Sequence, residues 1–139
     1  MQVSKYIGIP YVFAGHSMEG ADCVGLVRMF YADHHWKPAW YDGEFKKDWY
    51  ITQPYRMIRY LLKNLIKEPN IDNLRFGDIV FFMINDEGHL GIYLEYHKIL
   101  TTFPPNVKLL DGSIMPDKSM IMRENIWLPA YRCGFKRKG

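Results

Sequence analysis

Gly15-His16-Ser17-Met18-Glu19-Gly20-Ala21-Asp22-Cys23-Val24-Gly25-Leu26 is a polar, glycine-punctuated loop that runs into an amphipathic helix, with a cysteine at the junction. The start of a helix presents unpaired backbone N–H groups and the positive end of the macrodipole, and both favour negative charge. A thiol placed there is expected to ionise more easily and to act as a nucleophile. The same N–H groups can hold a developing oxyanion. Against this stands the ordinary role of a free cysteine as a small buried hydrophobe.

Working outward, Tyr6-Ile7-Gly8-Ile9-Pro10-Tyr11-Val12-Phe13 reads as a short turn or helix followed by an extended segment. After Cys23, the residues Val24, Val27, Phe30 and Tyr31 recur with helical spacing, and the pattern decays at His34-His35-Trp36-Lys37-Pro38. Trp40 to Gln53 is aromatic and charged without a period, which predicts an ordered insertion or loop. Pro54 suits the first turn of a second helix, with Ile58, Leu61, Leu62 and Leu65 as its buried stripe and an end before Pro69.

The period then changes. Asp78 to Met83 is a short apolar strand, Asn85 to Gly88 a turn cluster, and His89 to Tyr96 the next strand. A turn near His97-Lys98 leads back through Ile99 to Thr102, and Val107–Leu110, Met120–Met122 and Ala130–Phe135 supply weaker strand candidates. Helices followed by strands joined through tight turns predict an α+β fold with a mainly antiparallel sheet, as one domain over residues 1–139.

Composition excludes several classes. A formal net charge of +3 on 139 residues is too slight to argue for nucleic acid, and the basic Lys136-Arg137-Lys138 reads as a solvated tail. Two cysteines, Cys23 and Cys133, do not make a disulfide framework, although a single bridge between them would conflict with catalysis by Cys23. Asp33-His34-His35 lacks the geometry and thiolate partners of a metal site, so no metal or cofactor is expected. No signal-peptide pattern opens the chain, and no apolar run is long enough for a transmembrane helix, so no membrane is expected as a partner.

A nucleophilic thiol needs a base. His89 opens a strand just after a turn, where an imidazole can lean over a sheet edge towards a helix packed on it. The plain alternative is a hydrogen-bonding residue at a turn. His16, in the loop before Cys23, is a rival base or a substrate contact. Glu95 and His97 lie about 20 Å or more along the strand from His89, too far to orient its ring. The returning strand passes alongside, so Thr101 or Thr102 is the expected neighbour, with a hydroxyl that can accept the imidazole N–H.

The four blocks Gly8–Gly15, Gly20–Leu26, Arg75–Phe82 and His89–Tyr93, in this order, resemble the NlpC-type cell-wall peptidases. That resemblance implies a papain-like α+β fold and hydrolysis of an amide next to D-glutamate and a diamino acid in peptidoglycan stem peptides. It implies Cys23 as nucleophile, His89 as base, Tyr11 as a hydroxyl positioning substrate or oxyanion, and Asp22 as a support for the loop and a substrate contact. The chain departs from the family pattern at two points. Thr101 stands where a second histidine, asparagine or glutamine is common, and Val24 stands where serine is common. The Cys23-Val24-Gly25-Leu26-Val27-Arg28 run and the long insertion look most like phage-tail members, which implies other phage tail proteins as partners. The rivals are a weakly active or inactive assembly protein of a phage tail, and a muramoyl-alanine amidase using the same dyad. Trp36, Trp40, Tyr41 and Trp49 would wall a groove or form a satellite core, and Asp42 and Glu44 would meet a substrate amine.

Overall fold

Ile79-Val80-Phe81-Phe82-Met83-Ile84 is apolar at every position because both of its faces are covered. In the computed structural model, which describes residues 3–36, 54–109 and 111–138, this segment is β4, near the middle of a six-stranded sheet. The strands are β3 (Ile66–Glu68), β4 (Ile79–Ile84), β5 (Glu87–Tyr93), β6 (Ile99–Thr101), β7 (Met120–Met122) and β8 (Tyr131–Lys136). Their order is β3-β8-β4-β5-β6-β7, and every neighbouring pair is antiparallel. A separate hairpin, β1 (His16–Ser17) with β2 (Gly20–Ala21), lies just before α1 (Cys23–Asp33). Among the described residues two further α-helices are α2 (Pro54–Asn64) and α3 (Glu124–Trp127). The α+β class with an antiparallel sheet is thus what the chain forms.

Alternation along the strands divides the interior in two. On one face Ile79, Phe81, Leu90, Ile92 and Leu100 pack with Leu26, Val27, Phe30 and Tyr31 of α1 and with Met57 and Leu61 of α2. On the other, Val80, Phe82, Ile99 and Met122 pack with Phe103, Val107, Met115 and Trp127. Burying a large apolar side chain stabilises by about 1.5–3 kcal/mol, so two full layers hold the sheet. Its second layer is formed by Phe103, Val107 and Met115 together with α3.

Several expectations are corrected. The buried stripe of α2 runs through Met57 and Leu61 and on to Leu65, while Ile58 is half-buried and Leu62 is 48% exposed. The helix is one step out of phase with its predicted stripe because Met57 reaches the core in place of Leu62. The turn after β4 has only two residues, Asn85 and Asp86, both at positive φ (52° and 64°), and β5 resumes at Glu87. Such a loop matches the twist of the flanking strands. The next strand stops at Tyr93, where a loop with Tyr96 and His97 at positive φ leads to β6. Within Val107–Leu110, Lys108 forms only an isolated bridge to Ile114. The polar loop before Cys23 contains the β1–β2 hairpin, with Met18-Glu19 at its tip. The insertion from Trp40 to Gln53 lies outside the described residues, as do the suggested roles of Trp40, Tyr41, Asp42, Glu44 and Trp49.

The N-terminal segment is fastened to a distant part of the chain. Gly8 N–H donates to the Ser119 carbonyl (2.9 Å), Ser119 N–H to the Ile9 carbonyl (2.8 Å) and Tyr11 N–H to the Asp117 carbonyl (2.9 Å). The buried Ser119 hydroxyl accepts from Ile9 N–H (2.7 Å) and donates to the Tyr6 carbonyl. From that anchor Pro10 accepts from Ala21 N–H (3.0 Å), so the segment that carries Tyr11 lies beside the approach to Cys23.

Candidate active site

Asp22 sets the start of α1. Its backbone is extended, and one carboxylate oxygen accepts from Gly25 N–H (2.7 Å), capping the helix. The other oxygen accepts from Ala14 N–H at 2.8 Å, which ties the preceding loop to the same side chain. Close approach of the loop also requires Gly25, because a Cβ there would stand 1.7 Å from the Gly15 carbonyl oxygen. These contacts place Cys23 as the first residue of α1, with its own N–H and that of Val24 hydrogen-bonded at the sulfur. The Leu90 backbone N–H reaches the same sulfur. The thiol is therefore held against β5 one residue from His89.

His89 stands opposite Phe82 in the β4–β5 ladder, and its ring packs on Phe82 (centroids 5.5 Å apart) and edge-on to Phe103 (4.7 Å). Leu90 faces α1, so the strand presents its main chain to the sulfur and its histidine to the aromatic layer. Thr101 pairs with Gly91 and so shares the His89 face of the sheet; its hydroxyl donates to the Leu90 carbonyl (2.6 Å) and keeps lone pairs for an imidazole N–H. Thr102, one residue past the end of β6, is buried and its hydroxyl has no hydrogen-bond partner among the described residues. Strand pairing and hydrogen bonding separate the two threonines that the sequence leaves as equals.

Cys23 is 5% exposed and His89 1%. Burial pushes the thiol up to about 12, with the Asp22 carboxylate adding to the shift, and the three N–H groups oppose it. Burial alone brings His89 down to about 3. Asp22 itself is raised by burial, against the hydrogen bonds from Gly25 and Ala14. Both groups are thereby held neutral, with the thiol on the α1 side of the sheet among Leu90 and Leu26 and the imidazole turned to the Phe82 and Phe103 layer. Neither cysteine is in a disulfide; Cys23 and Cys133 are both buried free thiols.

Tyr11 is half-buried on the segment that pairs with Ala21. His16 lies apart from this centre, exposed on β1 and facing a groove along the outer side of α1. His34 stacks between Phe30 and Trp36 (4.3 Å to each), and its Nδ1 meets the Phe30 carbonyl at 2.7 Å. Trp36 in turn carries the Arg137 guanidinium 3.6 Å from its ring centre, so part of the basic tail is docked on the molecule. The resemblance gave Asp22 as a support for the loop, but sequence reasoning missed its cap on Gly25. An aspartate directly before an amphipathic run is the signal that marks such a cap.

The NlpC/P60 family model matches residues 8–127. The fold is similar to the NlpC/p60 domain of the peptidoglycan hydrolase SagA, with a TM-score of 0.55, 19% identity, and 96% of this chain and 91% of that one covered. It is similar to the P60 domain of the M. avium subspecies paratuberculosis antigen MAP1204 (TM-score 0.54, 19% identity, 96% and 87% covered). It is also similar to RipD from Mycobacterium tuberculosis, a non-catalytic NlpC/p60 domain protein described as adapted to peptidoglycan binding (TM-score 0.56, 16% identity, 96% and 89% covered). Among curated proteins no sequence matches this chain. Capped helix, cysteine, antiparallel sheet and family match lead to one conclusion: the chain belongs to the NlpC/P60 family, whose members are typically peptidoglycan hydrolases and include non-catalytic binding proteins.

Proposed function

We propose that this protein is a cysteine peptidase that hydrolyses a D-glutamyl–diamino acid amide in peptidoglycan stem peptides, and that it does so as part of a phage tail. The observation that carries the reading is Cys23 at the first turn of α1, with three backbone N–H groups at its sulfur and His89 next to the residue that supplies one of them. In the reaction His89 takes the thiol proton and the sulfur attacks the amide carbonyl. The N–H groups at the start of α1, with the Tyr11 hydroxyl, receive the oxyanion. The imidazolium then protonates the leaving amine, and water hydrolyses the thioester. Thr101 holds the ring through a lone pair. Because burial keeps thiol and imidazole neutral and the His89 ring packs on Phe82 and Phe103, proton transfer requires the ring to swing towards the sulfur as the polar amide enters. The tail assignment is supported by the Cys23–Arg28 run and the insertion after α1.

Digestion of purified peptidoglycan by the wild type beside Cys23→Ala tests the reading. Release of muropeptides cut at the D-glutamyl amide, abolished in the variant, is the expected result. Cleavage at the muramoyl–alanine bond would identify an amidase with the same dyad. A second reading, a binding or assembly protein with little catalysis, is favoured by the near-complete burial of both Cys23 and His89. In that case peptidoglycan is retained equally by both forms and no fragment appears.

A further inference from the structure

A second feature lies beside the candidate active site and takes no part in the chemistry. Between the β1–β2 hairpin and the outer side of α1 runs an open groove of about 480 Å³, lined among others by Lys5, His16, Met18, Arg28, Met29 and Asp33. Its charges are not equivalent. Asp33 is already engaged, by Lys5 at 3.1 Å and by the Tyr6 hydroxyl, and both hold its carboxyl below the ordinary range. Arg28 is half-buried and has no side-chain hydrogen bond or ion pair among the described residues. Its charge favours the charged form of Asp22, the residue that precedes Cys23. Along α1 the five residues from Cys23 to Arg28 span roughly 7–8 Å. The imidazole of His16 faces the same space, and Met18 and Met29 give it adaptable apolar walls.

We infer that this groove is a subsite for an anionic group, a carboxylate or a phosphate, on a ligand that extends from the thiol along the outer side of α1. Arg28 is its principal contact and His16 a second donor. Guanidinium matches both oxyanions through paired N–H groups, and Arg28, whose N–H groups make no hydrogen bond or ion pair among the described residues, is the group in the groove still able to do so. The inference rests on the reading of the protein as a peptidoglycan-directed enzyme only for the direction in which the ligand runs; the anion site stands on the groove's own residues. It also gives His16 a place as a substrate contact and removes it from competition as the base.

Binding is measured in the Cys23→Ala protein, so that turnover plays no part. N-acetyl-D-glutamate and glycerol 3-phosphate are titrated separately, with glycerol as the neutral control, and amide and Arg Nε resonances are followed by NMR. Saturable shifts at Arg28 Nε and at residues 16–18 and 28–29 are expected with one or both anions. Arg28→Gln should weaken binding about fivefold or more, with Arg28→Lys between the two, since a single ion-paired hydrogen bond is worth about that factor. Added salt should weaken it as well. A stronger response to one anion tells carboxylate from phosphate as the natural group. Equal shifts with glycerol, or anion binding unchanged in Arg28→Gln, overturns the inference. A well-dispersed spectrum of each variant shows that loss of binding is not loss of fold. Absence of peptidoglycan cleavage by the wild type, with anion binding intact, would refute the proposed hydrolase while leaving this subsite standing.

Discussion

Replacing Asp22 by asparagine should make the protein less stable and its thiol more acidic at the same time. The carboxylate is 4% exposed and accepts two backbone N–H groups, from Gly25 at 2.7 Å and from Ala14 at 2.8 Å. Asparagine has one acceptor and one donor end, so it can satisfy either N–H and must turn its NH₂ towards the other. A buried donor left unsatisfied costs about 1–3 kcal/mol. Burial raises the Asp22 carboxyl, so removing a charge from that site returns part of this. The net loss should be about 1–2 kcal/mol, a fall in Tm of roughly 3–8 °C for a domain of this size. The sign at sulfur is the reverse. The Asp22 carboxylate is a cause of the high Cys23 value, so the neutral variant should release the thiol proton at lower pH. Iodoacetamide labelling across a pH series, with Cys23 and Cys133 followed separately by peptide mass spectrometry, reads the thiol; urea unfolding reads the stability. Asp22→Glu is the control, keeping the charge while disturbing the cap, and it should destabilise without acidifying Cys23. The reasoning fails if Asp22→Asn leaves the labelling profile of Cys23 unmoved, or if the glutamate variant shifts it as far.

Three other outcomes are expected. Thr102→Val removes a buried hydroxyl that has no partner and keeps the side-chain shape, so it should raise stability by about 1 kcal/mol in urea unfolding; destabilisation would show that the hydroxyl is satisfied. Gly25→Ala forces a Cβ against the Gly15 carbonyl at 1.7 Å and should cost about 3 kcal/mol, with faster alkylation of Cys23 as the loop lifts; a neutral result would mean that α1 and the loop are not in contact. His89 titrates near 3 in the folded protein, so the unfolded chain binds the extra proton between about 6.5 and 3, and stability should fall with acidification through that window by at most about 1.4 kcal/mol per pH unit. The raised carboxyls of Asp22 and Asp78 act in the opposite sense, so the comparison is with His89→Gln, whose unfolding should lose that part of the acid slope; an unchanged slope would refute the buried neutral imidazole.

The parts of the fold that could be read from sequence are those whose signal is local. The first helix announces itself through Val27, Phe30 and Tyr31 at helical spacing, and β4 through an unbroken apolar run. Strand β3 escaped because Ile66-Lys67-Glu68 is three residues with an exposed isoleucine, and α3 because a single turn has no period. No pattern along the chain could place β8 between β3 and β4, since pairing partners of high sequence separation leave no mark on either strand alone. The phase error in α2 has a different cause: Met57 and Leu62 are equally apolar, and only the shape of the core decides which is covered. For the site, the helix start at Cys23 was legible and its burial was not. A position in sequence tells which backbone groups surround a thiol, whereas its acidity is set by how much water the rest of the molecule leaves beside it.

The fastening of residues 6–11 to Asp117 and Ser119 has a consequence for when the protein can become itself. Two hydrogen bonds that steady the approach to Cys23 join residues 110 and 113 positions apart in the chain. Contacts of such separation form late, because the intervening chain has to be ordered before they repay its loss of freedom. A ribosome that has made the nucleophile, the helix behind it and even β6 still has not supplied the partner that holds the loop. In a nascent chain the loop before Cys23 thus stays unfastened until Asp117 and Ser119 have emerged, and translation sets the earliest moment at which the centre is assembled.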